Sequence, residues 1–210
     1  MLSNWRELIR AKAIAVDSES LTDTFGKFVC EPLERGFGIT MGNSLRRILL
    51  SSVRGAAVTA VRVEGVLHEF GTIADVTEDV SEIVLNLKGV SLKLNKDTPH
   101  TVSVKLEGER EVTAGDLFSG PEVEVMNPDH HIATLGQGGV LEMELIVKHG
   151  IGYQPVERNR DQNAAIGWIP MDAVFTPIRK VNYRVTNARV GHLTDYDRLT
   201  MEVWTNGAIS

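Results

Sequence analysis

Over most of this chain apolar residues recur at every second position between turn-forming residues, the period of half-buried antiparallel strands. Val102, Val104 and Leu106 alternate with polar partners, and Leu141, Met143, Leu145 and Val147 alternate against Glu142, Glu144 and Lys148. Further on, Val181, Tyr183 and Val185 stand between Lys180, Asn182 and Arg184, and Leu199, Met201 and Val203 between Arg198, Thr200 and Glu202. Each such strand sends one face to a core and the other to water. Residues 13–17, 25–31 and 57–66 are further strand candidates, so strands are expected both early and late, with few helices.

Two segments follow the helical period instead. Residues 77–88 place Val80, Ile83, Val84 and Leu87 at i, i+3, i+4 and i+7, with Glu78 and Asp79 at the front and Lys88-Gly89 at the stop. The second predicted helix spans 38–53, with Met41, Leu45, Ile48 and Leu49 on one stripe. Residues 150–165 follow neither period and read as an exposed loop. Asn206-Gly207 reads as a turn, and Ser210 as a helix N-cap with no helix after it, so the chain is expected to be a fragment.

At 210 residues, with 42% hydrophobic and 24% charged residues, the chain is long enough to bury a core without metals or disulfides. The one cysteine, Cys30, fits a reducing compartment, and neither a signal peptide nor a run of ~20 apolar residues is found, so a cytoplasmic location is expected. The formal charge of −6 argues against a chain that coats nucleic acid, because phosphate binding needs clustered Lys and Arg. Its distribution is more informative: residues 64–150 hold sixteen acids and six bases, whereas the rest holds twelve acids and sixteen bases. An acidic block between two basic flanks suggests a domain inserted into another whose two ends fold together.

No catalytic constellation emerges. Gly36, Gly38 and Gly42 open the 38–53 helix but do not match the phosphate-binding fingerprints, and Ser44 lacks the nucleophile-elbow context. Asp129-His130-His131 is the most ligand-like trio, yet neighbours on a strand point to opposite faces, so a surface strand or turn is expected. His68, His100, His149 and His192 are isolated, and Glu142 and Glu144 share a face that reads as solvated. What does stand out is the stretch between Glu34 and Glu64, which has no acid and five arginines: Arg35, Arg46, Arg47, Arg54 and Arg62. At ~100° per residue, Leu50 falls opposite the apolar stripe, among Asn43, Arg46, Arg47 and Arg54, a candidate partner patch.

The run 31–38, Glu-Pro-Leu-Glu-Arg-Gly-Phe-Gly, and the run 42–52, Gly-Asn-Ser-Leu-Arg-Arg-Ile-Leu-Leu-Ser-Ser, closely resemble the assembly helix of the bacterial RNA polymerase α-subunit family. Residues 66–70 (Val-Leu-His-Glu-Phe), 78–88, 194–199 and 205–207 agree in the same order. The resemblance implies an α+β fold: a dimerisation subdomain from both chain ends, 1–53 and 178–210, and a β-rich subdomain, 54–177, inserted between them. It implies a non-catalytic scaffold that homodimerises and recruits two large subunits, β and β′, which hold the Mg²⁺ and the nucleoside triphosphates. No cofactor or metal is expected on this chain. By motif, Arg46, Arg47 and Leu50 correspond to β contacts. Lys88, the segment Met171, Asp172, Ala173, Val174 and Phe175, and Arg198 resemble the surface offered to β′. Phe37, Met41, Leu45 and Ile48 would serve the dimer interface and the core under the first helix. The family continues into a further helix, a linker and a DNA-contacting domain. From these 210 residues we therefore expect no direct DNA binding and a weakened dimer. The competing expectation is a β-domain that uses the Gly36–Gly42 turn for phosphate or nucleic acid, although twelve aromatic residues offer few stacking platforms.

Overall fold

The computed structural model describes residues 11, 13–160, 165–190 and 193–209. Ser210, His192 and residues 161–164 of the expected loop lie outside them. The elements in order are β1 (Ile14–Val16), β2 (Phe25–Leu33), α1 (Phe37–Ser52), β3 (Arg54–Val63), α2 (Val80–Lys88), β4 (Leu92–Leu94), β5 (His100–Glu107), β6 (Arg110–Thr113) and α3 (Ala114–Leu117). There follow β7 (Val123–Val125), β8 (His131–Leu135), β9 (Val140–Ile151), β10 (Tyr153–Gln154), α4 (Val156–Asn159), β11 (Trp168–Pro170), β12 (Ala173–Val174), β13 (Ile178–Val190) and β14 (Leu193–Thr205). This is a mixed α+β chain dominated by antiparallel strands. It divides into two compact units, one built from residues 1–53 and 178–208 and the other from Arg54–Pro177.

The first unit is a four-stranded sheet in the order β1-β2-β14-β13 with α1 laid on it. Alternation places Leu199, Met201 and Val203 of β14 on the inner face, where all three are buried with Val181. The seat of α1 is glycine. Gly38 and Gly42 are its buried residues, and a Cβ on Gly42 would stand 2.5 Å from Cδ2 of Tyr183. A helix-interior glycine costs ~1 kcal/mol relative to alanine; here that cost is offset by a closer approach of helix to sheet. The stripe expected to form the core under this helix is therefore not the seat: Phe37, Met41, Leu45 and Ile48 are 36–56% exposed, and Leu49 is half-buried. The helix ends at Ser52, so Arg54 does not belong to it; Arg54 opens β3 and pairs with Asp97 at 3.3 Å.

The second unit is built on a sheet in the order β5-β9-β3-β4-β7, with β11 added to β3. The alternating residues Leu141, Met143, Leu145 and Val147 of β9 are buried, and Val80, Ile83 and Leu87 of α2 join the same core. The helix expected from residue 77 starts at Val80, because Asp79 closes a capping box with Glu82. Residues 150–165 are not simply a loop: they hold the end of β9, then β10 and α4, where the Asn159 amide is buried and donates to the Met171 carbonyl at 2.8 Å. Nor is Glu144 merely solvated, since it pairs with Arg62 at 2.7 Å. Gly207 has φ 87° and donates to Thr205 Oγ1, the turn expected at Asn206-Gly207.

Candidate functional site

Two surfaces carry the residues singled out in the sequence, one on each unit. On the first, α1 has no side-chain cap of its own and no acid in its first turn, and Gly36 precedes it with φ 87°. Its N-terminus is instead closed from β14: Asp197 Oδ2 accepts the N–H groups of Gly36 at 2.8 Å and Gly38 at 3.0 Å. Free N–H groups at a helix start are what a phosphate would need. Two of them are committed to a carboxylate, so the competing phosphate reading of the Gly36–Gly42 turn is overturned. Asp197 lies in one of the recognised motifs, but its partner stands 161 residues away in the chain, beyond any local pattern.

The remaining faces of α1 point away from the seat. Phe37, Met41 and Ile48 lie along one flank of the glycine row at ~100° per residue, and Ile39 lies on the other; all are exposed. Arg46 is held, its Nε donating to the Val181 carbonyl at 3.1 Å, and Arg47 is exposed. Leu50 is half-buried rather than free. Elsewhere on this unit Arg198 lies 3.6 Å from Glu31, a long and half-exposed pair.

On the second unit Lys88, the last residue of α2, pairs with Asp172 at 2.5 Å. The Lys88 ammonium holds the Asp172 carboxyl below its ordinary 3.8, against the upward push of burial, and the Tyr153 hydroxyl assists. Val174 sits opposite Tyr153 in the β10–β12 pair, and these two side chains are 59% and 60% exposed. The other three residues of the expected 171–175 contact segment are corrected by burial. Met171, Ala173 and Phe175 are at most 3% exposed, because an extended chain sends alternate residues inward. Phe175 is accommodated by two glycines: a Cβ on Gly150 would lie 2.5 Å from its ring, and one on Gly55 would collide with its carbonyl oxygen.

A folded pKa below the unfolded value means that Asp172 contributes stability above pH 3.8, and that this contribution disappears as pH falls through the lower folded value. Asp172→Asn is expected to lower stability by less than ~1 kcal/mol at neutral pH, since the pair is partly exposed. Urea unfolding near pH 7 and near pH 3 reads this, and an equal loss at both would overturn the assignment.

Among the described residues no group of three His, Cys, Asp or Glu is placed to hold a metal, and no helix is long and apolar enough to cross a membrane. His130 and His131 do diverge: His130 Nε2 is 2.9 Å from the Asn86 carbonyl, while His131 lies between Glu78 and Glu111.

The chain is 58% identical over its whole length to the "DNA-directed RNA polymerase subunit alpha" of Geobacter metallireducens, and 56% to that of Pelobacter propionicus. The protein of the same name from Carboxydothermus hydrogenoformans is 55% identical over 92% of the chain. The chain spans 62% of the length of each of these curated relatives. The family described as RNA polymerase Rpb3/RpoA insert domain matches residues 61–176, more than half of the chain and all within the Arg54–Pro177 unit. Relatives that align end to end and a family match filling the β-rich unit agree, and the chain belongs to the RNA polymerase Rpb3/RpoA insert domain family.

Proposed function

We propose that this chain is the α-subunit assembly platform of a DNA-directed RNA polymerase: a homodimerising, non-catalytic scaffold that recruits the β and β′ subunits in the cytoplasm. The observation that carries the reading is α1. A helix seated through glycines leaves Phe37, Met41, Leu45 and Ile48 36–56% exposed. A helix that leaves larger apolar residues partly exposed beside its seat is suited to burying them against another chain. In this reading the unit of residues 1–53 and 178–210 dimerises through that stripe, and 54–177 is its insert.

The β subunit is then met by Arg46, Arg47 and Leu50. Arg47 supplies a free guanidinium for a carboxylate, and Arg46 frames the site while held on Val181. On the other protomer, Lys88, Asp172, Val174 and Arg198 meet β′, with Met171, Ala173 and Phe175 supporting that surface from beneath. A two-fold dimer facing two unlike partners uses the same residues differently in its two copies. Magnesium and nucleotides belong to the large subunits, and this chain makes no direct DNA contact.

The test is co-purification of β with a tagged copy of this chain, beside Arg47→Ala and Leu50→Asp variants checked by circular dichroism. Losing a charge-assisted interface pair costs ~2–5 kcal/mol, so Arg47→Ala is expected to release β while changing stability by no more than ~0.5 kcal/mol. Normal retention of β by folded Arg47→Ala would defeat the assignment of that face. Sedimentation of the 210-residue chain tests the dimer, and its apolar stripe predicts a concentration-dependent monomer–dimer equilibrium.

A further inference from the structure

Glu78 stands just ahead of the N-cap of α2, yet it does not serve that helix. Its carboxylate accepts the Thr134 N–H at 2.6 Å and the Thr134 hydroxyl at 3.1 Å, and lies 2.9 Å from His131 Nε2. The other ring nitrogen, Nδ1, is 2.8 Å from Glu111 Oε1 on β6. Ionised carboxylates only accept, and a neutral imidazole has one N–H. Both contacts are therefore hydrogen bonds only when the ring carries two protons.

We propose that His131 is a proton-operated clasp within the Arg54–Pro177 unit, tying the front of α2 to the β6–β8 sheet when its imidazole is doubly protonated and releasing one carboxylate when it is not. Most other charged groups nearby are already engaged. Asp79 and Glu82 are committed to the α2 capping box, Arg110 to Asp116, and His130 to the Asn86 carbonyl, while Asp129 in the preceding turn is exposed. Among the described residues nothing within the β6–β8 pair besides His131 bridges Glu111 to Glu78: Thr134, opposite Glu111 in register, spends its N–H and hydroxyl on Glu78.

The direction of titration agrees. Glu78 first, then Glu111, holds the imidazole above its ordinary 6.5. Burial pushes Glu78 up, but the Thr134 N–H and His131 outweigh it and hold the carboxyl below 4.5. A raised histidine contributes stability in full below pH 6.5 and loses it as pH rises through the folded value. A lowered glutamate contributes above pH 4.5 and loses it in acid. The clasp is therefore complete between those two values and loosens on the alkaline side.

The test is thermal unfolding of the 210-residue chain near pH 5.5 and near pH 8.5, for the parent, His131→Gln and Glu111→Gln. Relative to either variant, the parent is expected to be raised by ~2–4 °C at the lower pH and by less than ~1 °C at the higher. Glu111 is 65% exposed, so its variant keeps the test decisive should His131→Gln fold poorly. Proton NMR of the same samples should place the His131 midpoint above the ordinary 6.5, and Glu111→Gln should lower it. A parent-to-variant difference that is the same at both pH values, or a His131 midpoint at or below the ordinary 6.5, would overturn the clasp. No large subunit enters the experiment, so its outcome is independent of the assembly reading.

Discussion

Gly42→Val is expected to lower the stability of the chain by about 3 kcal/mol and to abolish both dimerisation and β retention. The added Cβ alone would meet Tyr183 Cδ2 at 2.5 Å, Tyr183 Cε2 at 2.9 Å and Leu199 Cδ1 at 3.0 Å. Retreat by rolling is blocked one turn earlier, where a Cβ on Gly38 would stand 2.8 Å from Val185 and 3.0 Å from Asp197. The helix must lift, and the Arg46–Val181 hydrogen bond and both Asp197 bonds leave with it. Gly42→Ala should lie between parent and valine, because a helix-propensity gain of ~1 kcal/mol opposes the clash. Urea midpoints and sedimentation of the three proteins check this. A valine variant that matched the parent in both would mean that α1 is not seated through glycine.

The second large effect is expected at Asp197. Asp197→Ala should cost ~2–3 kcal/mol, since hydrogen bonds to a charged group are worth ~1.5–3 kcal/mol and two N–H donors lose their acceptor. The loss should concentrate at the start of α1, seen as faster amide exchange at Gly36 and Gly38, with β retention weakened because the helix is no longer held at a fixed place. Asp197→Asn keeps an acceptor oxygen without the charge and should recover roughly half of the loss. An alanine variant within ~0.5 kcal/mol of the parent, with unchanged exchange at these glycines, would show that water caps the helix equally well.

Neither residue was marked by hydrophobic pattern. The wheel of α1 identified Met41, Leu45, Ile48 and Leu49 as a stripe, and periodicity alone takes an apolar stripe to be the seat of its helix. What seats α1 is the absence of side chains at Gly38 and Gly42, a quantity that only the distance to Tyr183 and Val185 reveals. The same limit applied at 171–175. The motif pointed to the segment, but whether a residue in an extended chain faces in or out depends on register, and Ala173 is set by pairing with Gln154. His131 diverges from His130 as strand alternation predicts, yet its two carboxylates come from Glu78 and Glu111, 53 and 20 residues away.

The sequence by itself determined the period-2 strands, the two long helices, the acidic middle and basic ends, and the motif order that identifies the family. Each is a local or additive property: alternation follows from the pleat, the helices from their ~3.6-residue period, charge from counting. Only the tertiary structure decided which face of α1 is buried, which of residues 171–175 reach the surface, that Asp197 closes the helix, and that His131 bridges two elements. Those are matters of ångström-scale approach between segments distant in the chain, where close packing gives a missing methyl or a two-donor imidazole its meaning.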